Sequence, residues 1–147
     1  MRSTENLNVD SAEVFETAAA ETTRTILLID DTDASHITTK WFLTNFGYTV
    51  ETAVSAEQAL LIFSPRTHDL VVTDNFMPGM NGAELAHIIK LRSPGTPVLM
   101  YTGTPPLDDD SCLDLVLERT GHLLQLKEAI DKLLGEKTNG VMENGTE

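Results

Sequence analysis

The stretch Thr25-Ile26-Leu27-Leu28-Ile29-Asp30-Asp31 decides how the rest of the chain is read. Four consecutive large aliphatic residues leave no polar face, which is the pattern of a short strand covered on both sides. Two acids then end the run abruptly. Working outward, the same grammar recurs. Leu70-Val71-Val72-Thr73 is a second buried run and ends at Asp74, and Pro97-Val98-Leu99-Met100-Tyr101 is a third and ends at Thr102. Tyr48 to Ala53 alternates like a strand, and Leu115-Val116-Leu117 reads as a fifth, closely followed by Arg119. Between these runs lie helical patterns. Residues 34–46 place Ile37, Trp41 and Leu43 or Thr44 on one face, with Trp41 expected in the core and Gly47 as the stop. Ser55 caps a helix carrying Ala56, Ala59, Leu60 and Phe63, closed by Pro65. Residues 82–92 carry Leu85, Ile88 and Ile89, and residues 121–135 carry Leu123, Leu126, Ile130, Leu133 and Leu134. Strand–helix alternation of this kind requires a parallel sheet with helices on both faces, because parallel neighbours are joined by crossovers. Such sheets carry their sites outside the carboxyl ends of the strands. Asp30, Asp31, Asp74, Thr102 and Arg119 are the residues found there.

The 147 residues support one compact domain. Residues 1–24 are polar and acidic and read as a flexible arm, 25–135 hold the periodic signals, and 136–147 read as a disordered tail. Ten Lys and Arg stand against 23 Asp and Glu, a formal net charge of −13. That balance excludes the basic footprint of a nucleic-acid binder and argues against docking on anionic membrane. Cys112 is the only cysteine, so no intrachain disulfide or cysteine metal cluster can form. With neither a signal-peptide core nor a membrane-length apolar run, the chain reads as soluble and cytoplasmic.

Carboxylates converging at one sheet edge repel one another unless something positive lies among them. A hard divalent cation with oxygen ligands is the usual solution, and Mg²⁺ suits a few carboxylates with water and phosphate oxygens. One carboxylate can then act as nucleophile towards phosphorus, giving an acyl phosphate. A hydroxyl and a cation from neighbouring strand ends would hold the phosphoryl oxygens, and Asp74, Thr102 and Arg119 fit those roles. Taken singly, each acid also fits a plainer role: Asp30-Asp31-Thr32-Asp33 ahead of a helix can cap it, and Asp74 can be turn chemistry. The combination of a doublet, an Asp and a hydroxyl after three different strands favours a site.

The chain resembles the receiver domains of two-component response regulators. The residues that carry the resemblance are Ile29-Asp30-Asp31, the run Val72-Thr73-Asp74-Asn75-Phe76-Met77-Pro78-Gly79-Met80-Asn81-Gly82, and Pro97 to Gly103. Asp74 follows Asp30 by 44 positions, as in that family. The resemblance implies a flavodoxin-like five-stranded sheet of order 2-1-3-4-5. It implies that Asp74 accepts a phosphoryl group from a histidine kinase or phosphotransfer protein. Asp31, Asp74 and the main-chain carbonyl of Phe76 would hold Mg²⁺, with Asp30 reaching it through water, and Thr102 would bond a phosphoryl oxygen. Pro78 and Gly82 look like shapers of the loop and the next helix. The expected protein is a stand-alone signalling switch rather than a metabolic enzyme, acting only on its own phosphorylation and passing the change to a downstream protein.

Three features depart from the family. Arg119-Thr120 stands where the family has Lys-Pro, exchanging a compact ammonium for a planar fork and predicting a trans bond. Val116 occupies the place of a frequent switching aromatic, and strand alternation points Tyr101 away from the Thr102 face. Only 16 residues separate Thr102 from Arg119, which predicts a shortened fourth helix around 108–113. Arg119 also motivates an alternative, a receiver-shaped interaction module without phosphorylation. A second alternative comes from Asp31-Thr32-Asp33, which resembles the Asp-x-Asp of haloacid-dehalogenase-type phosphohydrolases but leaves the Asp74 to Gly82 run unexplained. His36, His68, His87 and His122 lack metal-ligand spacing and read as surface or partly packed. Asp108-Asp109-Asp110 reads as a solvated loop and Cys112 as a small buried residue.

Overall fold

Apolar runs without a polar face become short strands covered on both sides, and five of them pair side by side in parallel. The computed structural model describes residues 23–106, 111–120 and 122–146, with side chains through 135. In chain order the elements are β1 (Thr25–Ile29), α1 (Asp33–Asn45), β2 (Thr49–Ala53), α2 (Ala56–Ile62) and β3 (Leu70–Thr73). Then come α3 (Gly82–Arg92), β4 (Val98–Thr102), β5 (Leu115–Glu118) and α4 (Leu123–Thr146). The strand order is β2-β1-β3-β4-β5, the doubly wound flavodoxin-like arrangement.

The two-residue side-chain period of each strand divides the core into two layers. Ile26 and Leu28 of β1 join Val72, Leu99, Leu43 of α1, and Leu126 and Ile130 of α4 on one face. Leu27 and Ile29 join Val71, Ala59 of α2, and Leu85 and Ile89 of α3 on the other. The helix ends follow their chemistry. Ser55 Oγ accepts from the Gln58 N–H at 3.0 Å. Asn81 and Glu84 form a reciprocal capping box at the start of α3. Past α1, Gly47 takes φ +100°, a left-handed conformation that disfavours any residue with a Cβ.

The phase of α1 differs from the sequence expectation. Its buried stripe is His36, Thr39 and Leu43, while Trp41 is 66% exposed and Ile37 69% exposed. Trp41 is therefore not core. The cause lies at the entry to the helix: Asp30 accepts hydrogen bonds from Thr32 N and from Ser35 Oγ, and this tight turn sets which stripe faces the sheet. The Ile37–Trp41 stripe, rotated by about a quarter turn, is left outside. The histidine reading also needs correcting, since His36 and His68 are both buried. His68 Nδ1 accepts from Ser64 N at 3.0 Å and its Nε2 lies 2.7 Å from Glu51 Oε1, a polar pairing across 17 residues that packs the ring against Phe63.

Between β4 and β5, residues 103–106 and 111–114 carry no helix; of the helix expected around 108–113, residues 111–113 are therefore not helical and residues 108–110 lie outside the described residues. Cys112 is partly rather than fully buried, with Sγ 3.4 Å from His87 Nδ1. The last helix starts two residues later than read and its backbone continues to Thr146. Extending a helix whose first turns are packed costs far less than starting one, so Gly140 and Gly145 do not end it. The acidic arm lies outside the described residues apart from Thr23 and Arg24. Among the described residues, no helix is long and apolar enough to cross a membrane.

The phase of α1 has a direct consequence for stability. Leu43→Ala, at a fully buried position, is expected to cost about 2–5 kcal/mol in urea unfolding. Trp41→Ala should cost less than about 1 kcal/mol in the same measurement.

Candidate functional site

The register of the sheet assembles the site. Ile29 of β1 pairs with Thr73 of β3, so Asp30 and Asp74 leave adjacent strands at the same height. The Asp74 N–H continues that ladder, donating to Ile29 O at 3.1 Å. On the other side, Thr73 pairs with Met100 of β4 and Thr102 with Glu118 of β5. The Arg119 N–H then donates to Thr102 O at 2.8 Å, which places these two residues at neighbouring strand ends. All five expected residues thus reach one edge.

One carboxylate oxygen each from Asp30, Asp31 and Asp74 lies within 4.8 Å of the others. The three acids differ in burial. Asp30 is 2% exposed, Asp74 half-buried and Asp31 exposed. Buried carboxylates need donors, and Asp30 has three: Thr32 N at 2.9 Å to Oδ1, then Ser35 Oγ at 2.7 Å and Arg119 Nη2 at 3.2 Å to Oδ2. The contact with Thr32 is an Asx turn, so Asp30 serves the helix entry as well as the site. Asp74 Oδ1 accepts from the Asn75 N–H at 2.7 Å, and Oδ2 has no hydrogen bond among the described residues. A carboxylate oxygen without a donor is the one available to a metal or an electrophile.

The loop after β3 is held from several sides. Gly82 N donates to Asn75 O at 2.9 Å, and Asn75 Nδ2 reaches Thr104 O at 3.1 Å. Glu57 of α2 accepts from Met80 N at 3.1 Å. A Cβ built on Gly82 would lie 2.1 Å from the main-chain oxygen of Asp74, so glycine is what lets α3 start against Asp74. Asp31, Phe76, Met77 and Pro78 line a common cleft of about 340 Å³, which puts Phe76, itself 73% exposed, beside the exposed acid. Thr102 Oγ1 accepts from Thr104 N at 3.1 Å; its own proton meets Thr104 O only at 3.5 Å, the limit of hydrogen-bond reach.

Arg119 is at the site, but its guanidinium is turned to Asp30 rather than to Asp74. Nη2 also donates to Tyr101 O at 3.1 Å, and Cζ lies 4.9 Å from the centre of the Tyr101 ring. Tyr101 belongs to the α1–α4 core layer, as strand alternation requires. Burial raises its phenol pKa, with the Arg119 cation pulling the other way. No cis peptide bond occurs among the described residues, in keeping with a trans Arg119–Thr120 bond. Lys127 is committed elsewhere, 2.6 Å from Asp131. Sequence reading missed Ser35, Glu57, Asn75 and Tyr101 as supports; none of the four carries a local signature of the kind that the Asn81-x-x-Glu84 box at the start of α3 does.

The family model of the response regulator receiver domain matches residues 26–112. The chain belongs to that family. The match spans the Asp74 to Gly82 run that the phosphohydrolase reading left unexplained. The transcriptional regulatory protein AfsQ1 of Streptomyces coelicolor is 29% identical over 120 residues, covering 82% of this chain. This chain spans only 52% of AfsQ1, about half of that relative's length. Among solved structures, response regulator TrrA of Thermotoga maritima in complex with Mg²⁺-BeF is 30% identical with TM-score 0.71, covering 76% of this chain and 99% of TrrA. TrrA has also been solved in complex with the histidine kinase ThkA. A CheY-like receiver domain of Methanospirillum hungatei has TM-score 0.75 at 27% identity, covering 81% of this chain and 99% of that one.

The contact between Gly82 and Asp74 can be tested. Gly82→Ala should overpack the start of α3, lowering stability by about 1–3 kcal/mol in thermal or denaturant unfolding. The amide resonances of Asp74 and Asn75 should shift with it.

Proposed function

We propose that this receiver accepts a phosphoryl group on Asp74 with the help of Mg²⁺. The observation that carries the reading is the meeting of Asp30, Asp31 and Asp74 within 4.8 Å, at the sheet edge where β4 ends in Thr102. Three hard oxygen donors around one point suit Mg²⁺, which takes carboxylates and keeps several waters. Asp31, Asp74 and the Phe76 carbonyl would hold it, with Asp30 at one remove. The ion, when bound, screens the carboxylates from the incoming phosphoryl charge.

The residues of the chain do the remaining work. The unbonded oxygen of Asp74 forms the new bond to phosphorus while the bond from phosphorus to the donor breaks. The Asn75 amide holds the other Asp74 oxygen and so aims the free one. Thr102 turns its proton from the Thr104 carbonyl to a phosphoryl oxygen. The fixed loop from Asn75 to Gly82 limits how far the acceptor can retreat. The donor is a histidine kinase or phosphotransfer protein; the ThkA–TrrA complex supports that class for a similar receiver. The acyl phosphate then biases a two-state equilibrium of the surface read by a downstream protein. Catalysis serves only the protein's own labelling and its hydrolysis, and a cytoplasmic setting suits the single thiol.

The orientation of Arg119 towards Asp30 favours one second reading, an interaction module that is not phosphorylated. Incubation with Mg²⁺ and acetyl phosphate followed by intact-mass measurement separates the two. A phosphate-sized gain that Asp74→Asn abolishes is expected, with Thr102→Ala slowing labelling by about 10²-fold. No gain with wild type, and no transfer from any kinase tried, leaves the module.

A further inference from the structure

We propose that the outer face of α1 is the docking site for this chain's own acidic arm, with Val14 and Phe15 seated on Ile37 and Trp41. Ile37 and Trp41 stand one helical turn apart and are both exposed, so they form a contiguous apolar stripe rather than two scattered surface residues. A stripe of that kind, rimmed by polar side chains, marks an interaction surface. Lys40 lies on the same side of the helix, three residues after Ile37 and next to Trp41. It is exposed and makes no ion pair among the described residues. The surface thus combines an aromatic ring, an aliphatic side chain and one uncommitted cation.

The place where the arm joins the domain selects the occupant. Thr23 and Arg24 line one cleft with Phe46 and Tyr48, so the chain enters at the C-terminal end of α1. Arg24 is fixed there by its carbonyl, which accepts from Thr49 N at 2.9 Å. Back along α1, Trp41 lies about 8 Å from Phe46 and Ile37 about 14 Å, at the helical rise per residue. Phe15 precedes Thr23 by eight positions. Eight residues span about 12 Å as helix and about 27 Å extended, so the stripe is within reach in either form. Residues 1–22 lie outside the described residues, and Phe15 is their one aromatic residue. Glu13 and Glu16 flank the Val14-Phe15 pair. A chain of net charge −13 repels an acidic segment from most of its surface, whereas Lys40 attracts one to this stripe. Thr38, three residues before Trp41, lines a groove with Ser35, Tyr101 and Arg119. The docked arm is therefore a removable wall on the α1 side of the strand-end site.

Trp41 is the only tryptophan, so its fluorescence in the full chain reports the cover directly. Quenching by acrylamide scales with the uncovered fraction, and a cover in place half of the time halves it. Val14→Ser combined with Phe15→Ser should therefore raise the quenching constant by about two-fold or more and move the emission to longer wavelength. Lys40→Glu should do the same. Adding Glu13→Lys and Glu16→Lys in that background should restore protection, which a merely local effect of the Lys40 substitution on the indole would not allow. Equal quenching of wild type and the Val14/Phe15 double variant overturns the proposal, as does a charge exchange that restores nothing. Protection that fades on dilution, with a dimer in sedimentation, assigns the stripe to a second copy of the chain and overturns it as well.

Discussion

The parallel pairing of β1 with β3 is the constraint on which the rest depends. With Ile29 opposite Thr73, the next residue of each strand is an aspartate, and two carboxylates leave the sheet side by side. Neither burial nor hydrogen bonding would bring like charges together; backbone register does, and the energy comes from the covered aliphatic strands beneath. Asp31 and Thr102 join because the following turn and the neighbouring strand end at the same edge. The site is a by-product of sheet packing, and its charge is an electrostatic cost that a cation relieves.

How that cost is met distinguishes this receiver. Asp30 is almost sealed from water and depends on Thr32, Ser35 and Arg119, whereas Asp31 stands in solvent and Asp74 lies between. The acids thus have different tasks although they are one residue type. The loop from Asn75 to Gly82 is fastened through Thr104, Glu57 and the start of α3, so Asp74 is tied to the loop after β4 and to the α2–α3 face of the sheet. A charge change at Asp74 has mechanical routes outward through these fastenings.

What could be read in advance followed local rules. Strand ends were legible because a fully apolar run has one interpretation in an alternating chain, and an acid or hydroxyl after it has a known place. Ser55 was legible as a cap because its role needs only the next turn. Trp41 misled because an i, i+4 apolar pair looks like a core stripe, while the helix phase was decided by the Asp30 turn. His36 and His68 misled because their burial depends on partners or packing distant in sequence, such as Glu51 for His68. The extent of α4 differed because helix propagation from a packed start outweighs two glycines.

The amino-acid order by itself determined the layered α/β architecture and the identities of the residues at its functional edge, because hydrophobic period and strand termination are properties of neighbours along the chain. Tertiary structure alone decided which acid is buried, where the Arg119 fork points and what Gly82 must make room for. Those outcomes depend on groups from different strands competing for the same few ångströms, and no local spacing encodes which of them wins.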